Sequence, residues 1–75
     1  MKELVEVIVK ALVDHPDDVQ IKENTNGNKI RLTLTVNQDD MGKVIGRHGR
    51  IAKAIRTVLK AYATKEDVYV DLDIE

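Results

Sequence analysis

Val44-Ile45-Gly46-Arg47-His48-Gly49-Arg50-Ile51-Ala52-Lys53-Ala54-Ile55 is the stretch on which the reading of this chain turns. Two glycines bracket two polar residues, so the chain can reverse sharply, and neither glycine carries a side chain that would hold a ligand's backbone at a distance. Before it, Met41 to Ile45 suffices for about a turn and a half of helix, with side-chain oxygens in Asn37-Gln38-Asp39-Asp40 to cap it. After it, the spacing predicts a longer helix from about Arg50 to Ala63, with Ile51, Ile55, Val58, Leu59 and Tyr62 inward and Lys53, Arg56, Thr57 and Lys60 outward. No Gly-Lys-Ser/Thr follows, which excludes a P-loop. The glycines join helix to helix rather than strand to helix, which does not fit a dinucleotide fingerprint. The first amides of the second helix point outward at the positive end of its dipole, an arrangement that favours a phosphate, and Arg47, His48 and Arg50 surround that point with donors.

The flanks complete the element order. Leu4, Val5, Ile8, Ala11 and Leu12 recur at helical spacing over residues 2 to 13, and Pro16 is expected to stop that helix. Val7, Val9 and Val13 widen its apolar surface, which suggests cover on two sides or a contact between copies. Val19 and Ile21, then Ile30, Leu32, Leu34 and Val36, alternate with polar residues, so two strands each have one apolar face. Asn24-Thr25-Asn26-Gly27-Asn28 lies between them as a hairpin turn. A last strand places Val68, Val70, Leu72 and Ile74 on one face and Asp67, Tyr69, Asp71 and Asp73 on the other. Asp71, Asp73 and Glu75 there would blunt an exposed sheet edge. The crossover through two helices delivers this strand parallel to the one at Ile30 to Val36. The expected fold is α+β, one domain over 1–75 in the order α-β-β-α-α-β, with a three-stranded mixed sheet carrying its helices on one face.

Charge is distributed unevenly. The net formal charge is −1, yet residues 41 to 60 carry Lys43, Arg47, Arg50, Lys53, Arg56 and Lys60 with no acid, +6 in all, against −7 for the remainder. A chain polarised in this way presents one face to an anion and keeps the rest acidic. With no cysteine, no Phe or Trp, two histidines and two tyrosines, the parts for a zinc site, a thiol nucleophile or an aromatic base-stacking platform are missing. His48 has no nucleophile or carboxylate beside it in sequence, and His15 next to Pro16 reads as a helix-end residue. No cofactor, metal or enzymatic activity is expected. No apolar run approaches the roughly 20 residues of a membrane span, and Met1-Lys2-Glu3 leads into no cleavable signal, so the expected location is the cytoplasm.

Over essentially its whole length the chain resembles a KH domain of the prokaryotic (type II) topology, and with nothing appended it is similar to the stand-alone single-KH RNA-binding proteins of the KhpA family. The resemblance puts the family's loop glycines on Gly46 and Gly49 and its phosphate-contacting loop residues on Arg47 and His48. Its aliphatic base groove would involve Val44, Ile45, Ile51 and the strand around Leu34 to Val36, and such a groove holds about four single-stranded nucleotides without aromatic residues. Lys43, Arg50 and Lys53 complete the basic surround. The resemblance further implies an RNA chaperone or post-transcriptional regulator and a larger KH-containing partner in the control of cell shape, while the small core and the valine-rich first helix point to a homodimer. A reading from another class is an adaptor that dimerises through the same fold and meets an acidic partner with its basic face.

Overall fold

The computed structural model describes all residues, Met1–Glu75. Helix α1 spans Lys2–Leu12, a 3₁₀ turn Pro16–Asp18, strand β1 Gln20–Asn26 and strand β2 Lys29–Thr35. A second 3₁₀ turn, Gln38–Asp40, leads into α2, Met41–Ile45. A third, Arg47–Gly49, leads into α3, Arg50–Lys65, and β3, Tyr69–Ile74, closes the chain. The strand order is β1-β2-β3, with β1 antiparallel and β3 parallel to the central β2. The α+β mixed sheet and the helix order expected from the sequence are therefore present.

Register explains which residues are covered. Ile21 faces Leu34 across the antiparallel pair, and Leu32 faces Leu72 across the parallel one. These side chains join Val5 and Val9 of α1, Val44 of α2, and Ile55 and Leu59 of α3 in one core. Glu23 and Thr25 share the face of Ile21 but are exposed, because the hairpin end of β1 projects past the helices. On the opposite, open face lie Lys29 beside Tyr69 and Arg31 beside Asp71, with Arg31 also 4.0 Å from Asp73.

Four details differ from the sequence expectation. Helix α1 ends at Leu12, and Pro16 opens a 3₁₀ turn instead of stopping the helix. The amides of Asp14 and His15, which a continuing helix would give to its own carbonyls, go to the carboxylate of Asp40. Helix α1 buries Val5 and Val9, and Ala11 and Leu12 are exposed rather than inward. Strand β1 runs further than expected, to Asn26, and β2 begins one residue earlier, at Lys29, so the loop is only Gly27-Asn28, and Gly27 alone takes positive φ, as the first position of a type II′ turn requires. Helix α3 buries Ala52, Ile55, Leu59 and Ala63, whose small alanines admit the sheet closely. That choice of stripe leaves Val58 and Tyr62, expected inward, 47% and 41% exposed.

Candidate nucleic-acid interface

The bend between α2 and α3 is closed by the backbone. Gly46 (φ 77°, ψ 174°) donates its N–H to the carbonyl of Gly42 at 2.9 Å, and Gly49 donates to the carbonyl of Gly46 at 3.1 Å. His48 and Gly49 both occupy the left-handed region, with φ 58° and 72°. Helix α3 starts at Arg50 behind Gly49 without any side-chain cap; the Arg50 N–H goes to the Arg47 carbonyl, and no side chain of the protein accepts from the amides that follow it. Arg47, His48, Arg50 and Lys53 are exposed around this turn. None of Arg47, Arg50 and Lys53 is paired with a carboxylate. Charge, a helix start without a side-chain cap and two glycines that leave the backbone open therefore coincide, and together they suit an anionic, backbone-like ligand.

Other expected site residues are arranged differently. Lys43 is not a free cation: its ammonium pairs with Asp14 and lies 3.6 Å from Oδ1 of Asp40. The hydrogen bond to Asp14 raises its pKa, burial opposes that rise, and the charges of Asp14 and Asp40 add to it. Val44, expected to line an aliphatic groove, is fully buried as the α2 side chain that joins the core. Leu34 and Val36 are likewise core residues. Only Ile45 and Ile51, half-buried on either side of the bend, keep open aliphatic surface. Arg56 is tied to β3, its Nε and Nη2 donating to the Leu72 carbonyl at 3.3 and 3.2 Å. A concavity between α3 and β3, lined by Lys60, Ala63, Val68 and Val70 among others, shares no residue with the 43–53 segment.

Asp40, expected among the capping side chains before α2, makes no cap bond there and instead holds a distant segment. Asp40 is 1% exposed and accepts from Asp14 N–H at 3.1 Å and His15 N–H at 2.9 Å. Burial would raise its pKa, but those two hydrogen bonds, with the charges of His15 and Lys43, outweigh it and hold the carboxyl below its ordinary range. The cap itself is Asn37, whose Oδ1 accepts from Asp39 N–H at 2.8 Å while its Nδ2 reaches Asp18. Nothing local separates Asp40 from Asp39, since the partners of Asp40 lie 26 and 25 residues away.

An α-β-β-α-α-β chain with a parallel last strand and a Gly-x-x-Gly bend between its two core helices has a KH-type fold. More specifically, the chain belongs to the KhpA/KhpB KH-domain family, whose model matches residues 2–74. It is 57% identical over 74 residues to "RNA-binding protein KhpA" of Halalkalibacterium halodurans, covering 99% of this chain and 97% of that protein. The protein of the same name from Clostridium perfringens is 58% identical, with 99% of each chain covered. That from Listeria monocytogenes is 49% identical, covering 99% of this chain and 97% of the relative. No solved structure matches the chain significantly. No helix is long and apolar enough to cross a membrane.

Proposed function

We propose that this protein binds single-stranded RNA, holding about four nucleotides at the bend between α2 and α3. The observation that carries the reading is the coincidence at Gly46–Gly49 of two positions without side chains, a helix start without a side-chain cap and three carboxylate-free cations, Arg47, Arg50 and Lys53. Gly46 and Gly49 let a sugar-phosphate backbone approach. Arg47, His48, Arg50 and Lys53 take its charge, and Ile45 and Ile51 offer aliphatic surface to the bases. Lys43 contributes only after release from its carboxylates, and Val44 supports the bend from beneath. The relatives' shared name as RNA-binding proteins agrees with this assignment. With few base-reading groups in place, the protein acts as a cytoplasmic RNA chaperone or post-transcriptional regulator rather than as a sequence-specific reader.

Replacing Arg47 and His48 together by Asp tests the site, because it puts two carboxylates where a phosphate would sit and leaves both glycines alone. RNA affinity in a fluorescence titration falls more than tenfold with an unchanged circular dichroism spectrum; unchanged affinity in a folded variant removes the loop from the interface.

A second reading, association through the helices with a second copy or with a larger KH-containing protein, is favoured by Val7, Val58 and Tyr62, which stay exposed on α1 and α3. Light scattering at high micromolar concentration that finds only the 8.5 kDa species excludes the homodimer.

A further inference from the structure

Lys43, Asp14 and Asp40 form a closed ring whose geometry is not that of a casual surface pair. The backbone N–H of Asp14 is anchored on Oδ1 of Asp40, the same oxygen lies 3.6 Å from the Lys43 ammonium, and the side chain of Asp14 then turns back onto that ammonium. Asp40 is buried and already accepts two backbone hydrogen bonds. Asp14 is different: its side chain is 70% exposed, that of Lys43 is 43% exposed, and both can be reached by an incoming anion. Lys43 stands one helical turn before Gly46, on the segment that ends in the phosphate-facing bend.

We infer that Asp14 is an affinity-setting residue for RNA: its carboxylate and the RNA phosphate are competing acceptors for the Lys43 ammonium, so Asp14 withholds one cation from the interface. The inference rests on the RNA-binding reading above. With the Asp14 carboxylate gone, Lys43 keeps only its 3.6 Å approach to Asp40, whose oxygens already accept the Asp14 and His15 amides, so the ammonium can turn to a phosphate at the loop while Asp40 keeps its backbone bonds.

The test compares Asp14→Asn, Lys43→Ala, the double variant and Asp71→Asn, an exposed acid on β3 whose removal changes the net charge equally. A single-stranded oligonucleotide is titrated across a salt series, and thermal melting checks the fold of each variant. Asp14→Asn binds about two- to fivefold tighter at low salt, and its slope of log affinity against log salt is steeper by about 0.7, one phosphate's worth. The double variant loses both gains, and Asp71→Asn shows neither. The inference is overturned if folded Asp14→Asn binds like the wild type, if its gain survives Lys43→Ala, or if Asp71→Asn matches it. A wild-type protein that binds no RNA at any salt concentration overturns the underlying reading itself, and is thereby distinguished from these outcomes.

Discussion

A Cβ atom placed on Gly46 would lie 2.6 Å from Cγ1 of Ile51, closer than two carbon atoms can stand. The first glycine of the bend is therefore required twice, by its positive φ of 77° and by the isoleucine that the first turn of α3 folds against it. Gly49 differs: its φ is 72°, yet a Cβ there would meet nothing within 4 Å. The close approach of Gly46 and Ile51 is what draws the two helices into a narrow corner and leaves Arg47 and His48 outside it.

The two glycines should consequently fail to different degrees. Gly49→Ala pays only for a left-handed backbone, about 1–2 kcal/mol, whereas Gly46→Ala adds overpacking against Ile51 of about 1–3 kcal/mol. Urea denaturation should find Gly46→Ala at least twice as destabilising as Gly49→Ala. Equal losses would mean that Ile51 moves aside freely and that the corner is not fixed by that contact.

The alternation of Ile30, Leu32 and Leu34, the Asn-Gly pair and the glycine-bracketed bend are signals that act within a few residues, and they are why the element order and the location of the bend were legible beforehand. Where competition came from far along the chain, local pattern failed. Nothing within the α1 pattern shows that the amides of Asp14 and His15, just past its end, go to Asp40, 26 and 25 residues away. Helix α3 offers two adjacent apolar stripes, and only packing against β3 selects Leu59 over Val58. The same limit applies at the site. Lys43 and Arg56 look like Arg50 and Lys53 in a charge count, but a carboxylate pair and a strand carbonyl hold them elsewhere.

Asp40 predicts a pH dependence of stability. Its folded pKa is lowered: burial pushes upward from the ordinary value of 3.8, but the Asp14 and His15 amides and the nearby His15 and Lys43 charges prevail. A lowered folded pKa means that the ionised form is bound more tightly in the native state, so the contribution is fully present above pH 4 and is lost as pH falls through the folded value. Asp40→Asn replaces one acceptor by a donor facing backbone N–H groups and should lower Tm at pH 7 by about 10 °C. The gap from wild type should narrow below pH 4. A gap that stays constant down to pH 2 would show that the carboxylate's charge has no part in the clamp.

Asp67 predicts a gain. It follows the end of α3 with φ 58°, and the N–H of Val68 bonds the Ala63 carbonyl at 2.9 Å while that of Asp67 bonds Thr64 at 3.3 Å. This double bond pattern is the helix end at which glycine is preferred in the left-handed position. A carboxylate there also faces the negative end of the helix dipole. Asp67→Gly should stabilise the protein by about 0.5–1 kcal/mol, raising Tm by a few degrees. RNA affinity should not change, since Asp67 is far along the chain from the bend; an unaltered or lower Tm would mean that the aspartate holds the turn by a contact other than its backbone.

The salt dependence of binding discriminates between a working interface and a solvated basic helix. Only Arg47, Arg50 and Lys53 are both exposed and free of carboxylates near the bend, with Lys43 held by Asp14 and Arg56 by the Leu72 carbonyl. At roughly 0.7 per phosphate for a single strand, three contacts give a slope of log affinity against log salt of about −2. Arg50→Ala or Lys53→Ala should bring it to about −1.4 and weaken all sequences alike, because phosphate contacts position the strand without reading it. Ile45→Ala should act the other way, changing preference among homopolymers while leaving the slope near −2, since an aliphatic side chain meets bases and not charge. A slope near zero in the wild type, or a Lys53→Ala variant whose base preference changes at constant slope, would reduce the basic face to a solvated surface and leave protein association as the function of this fold.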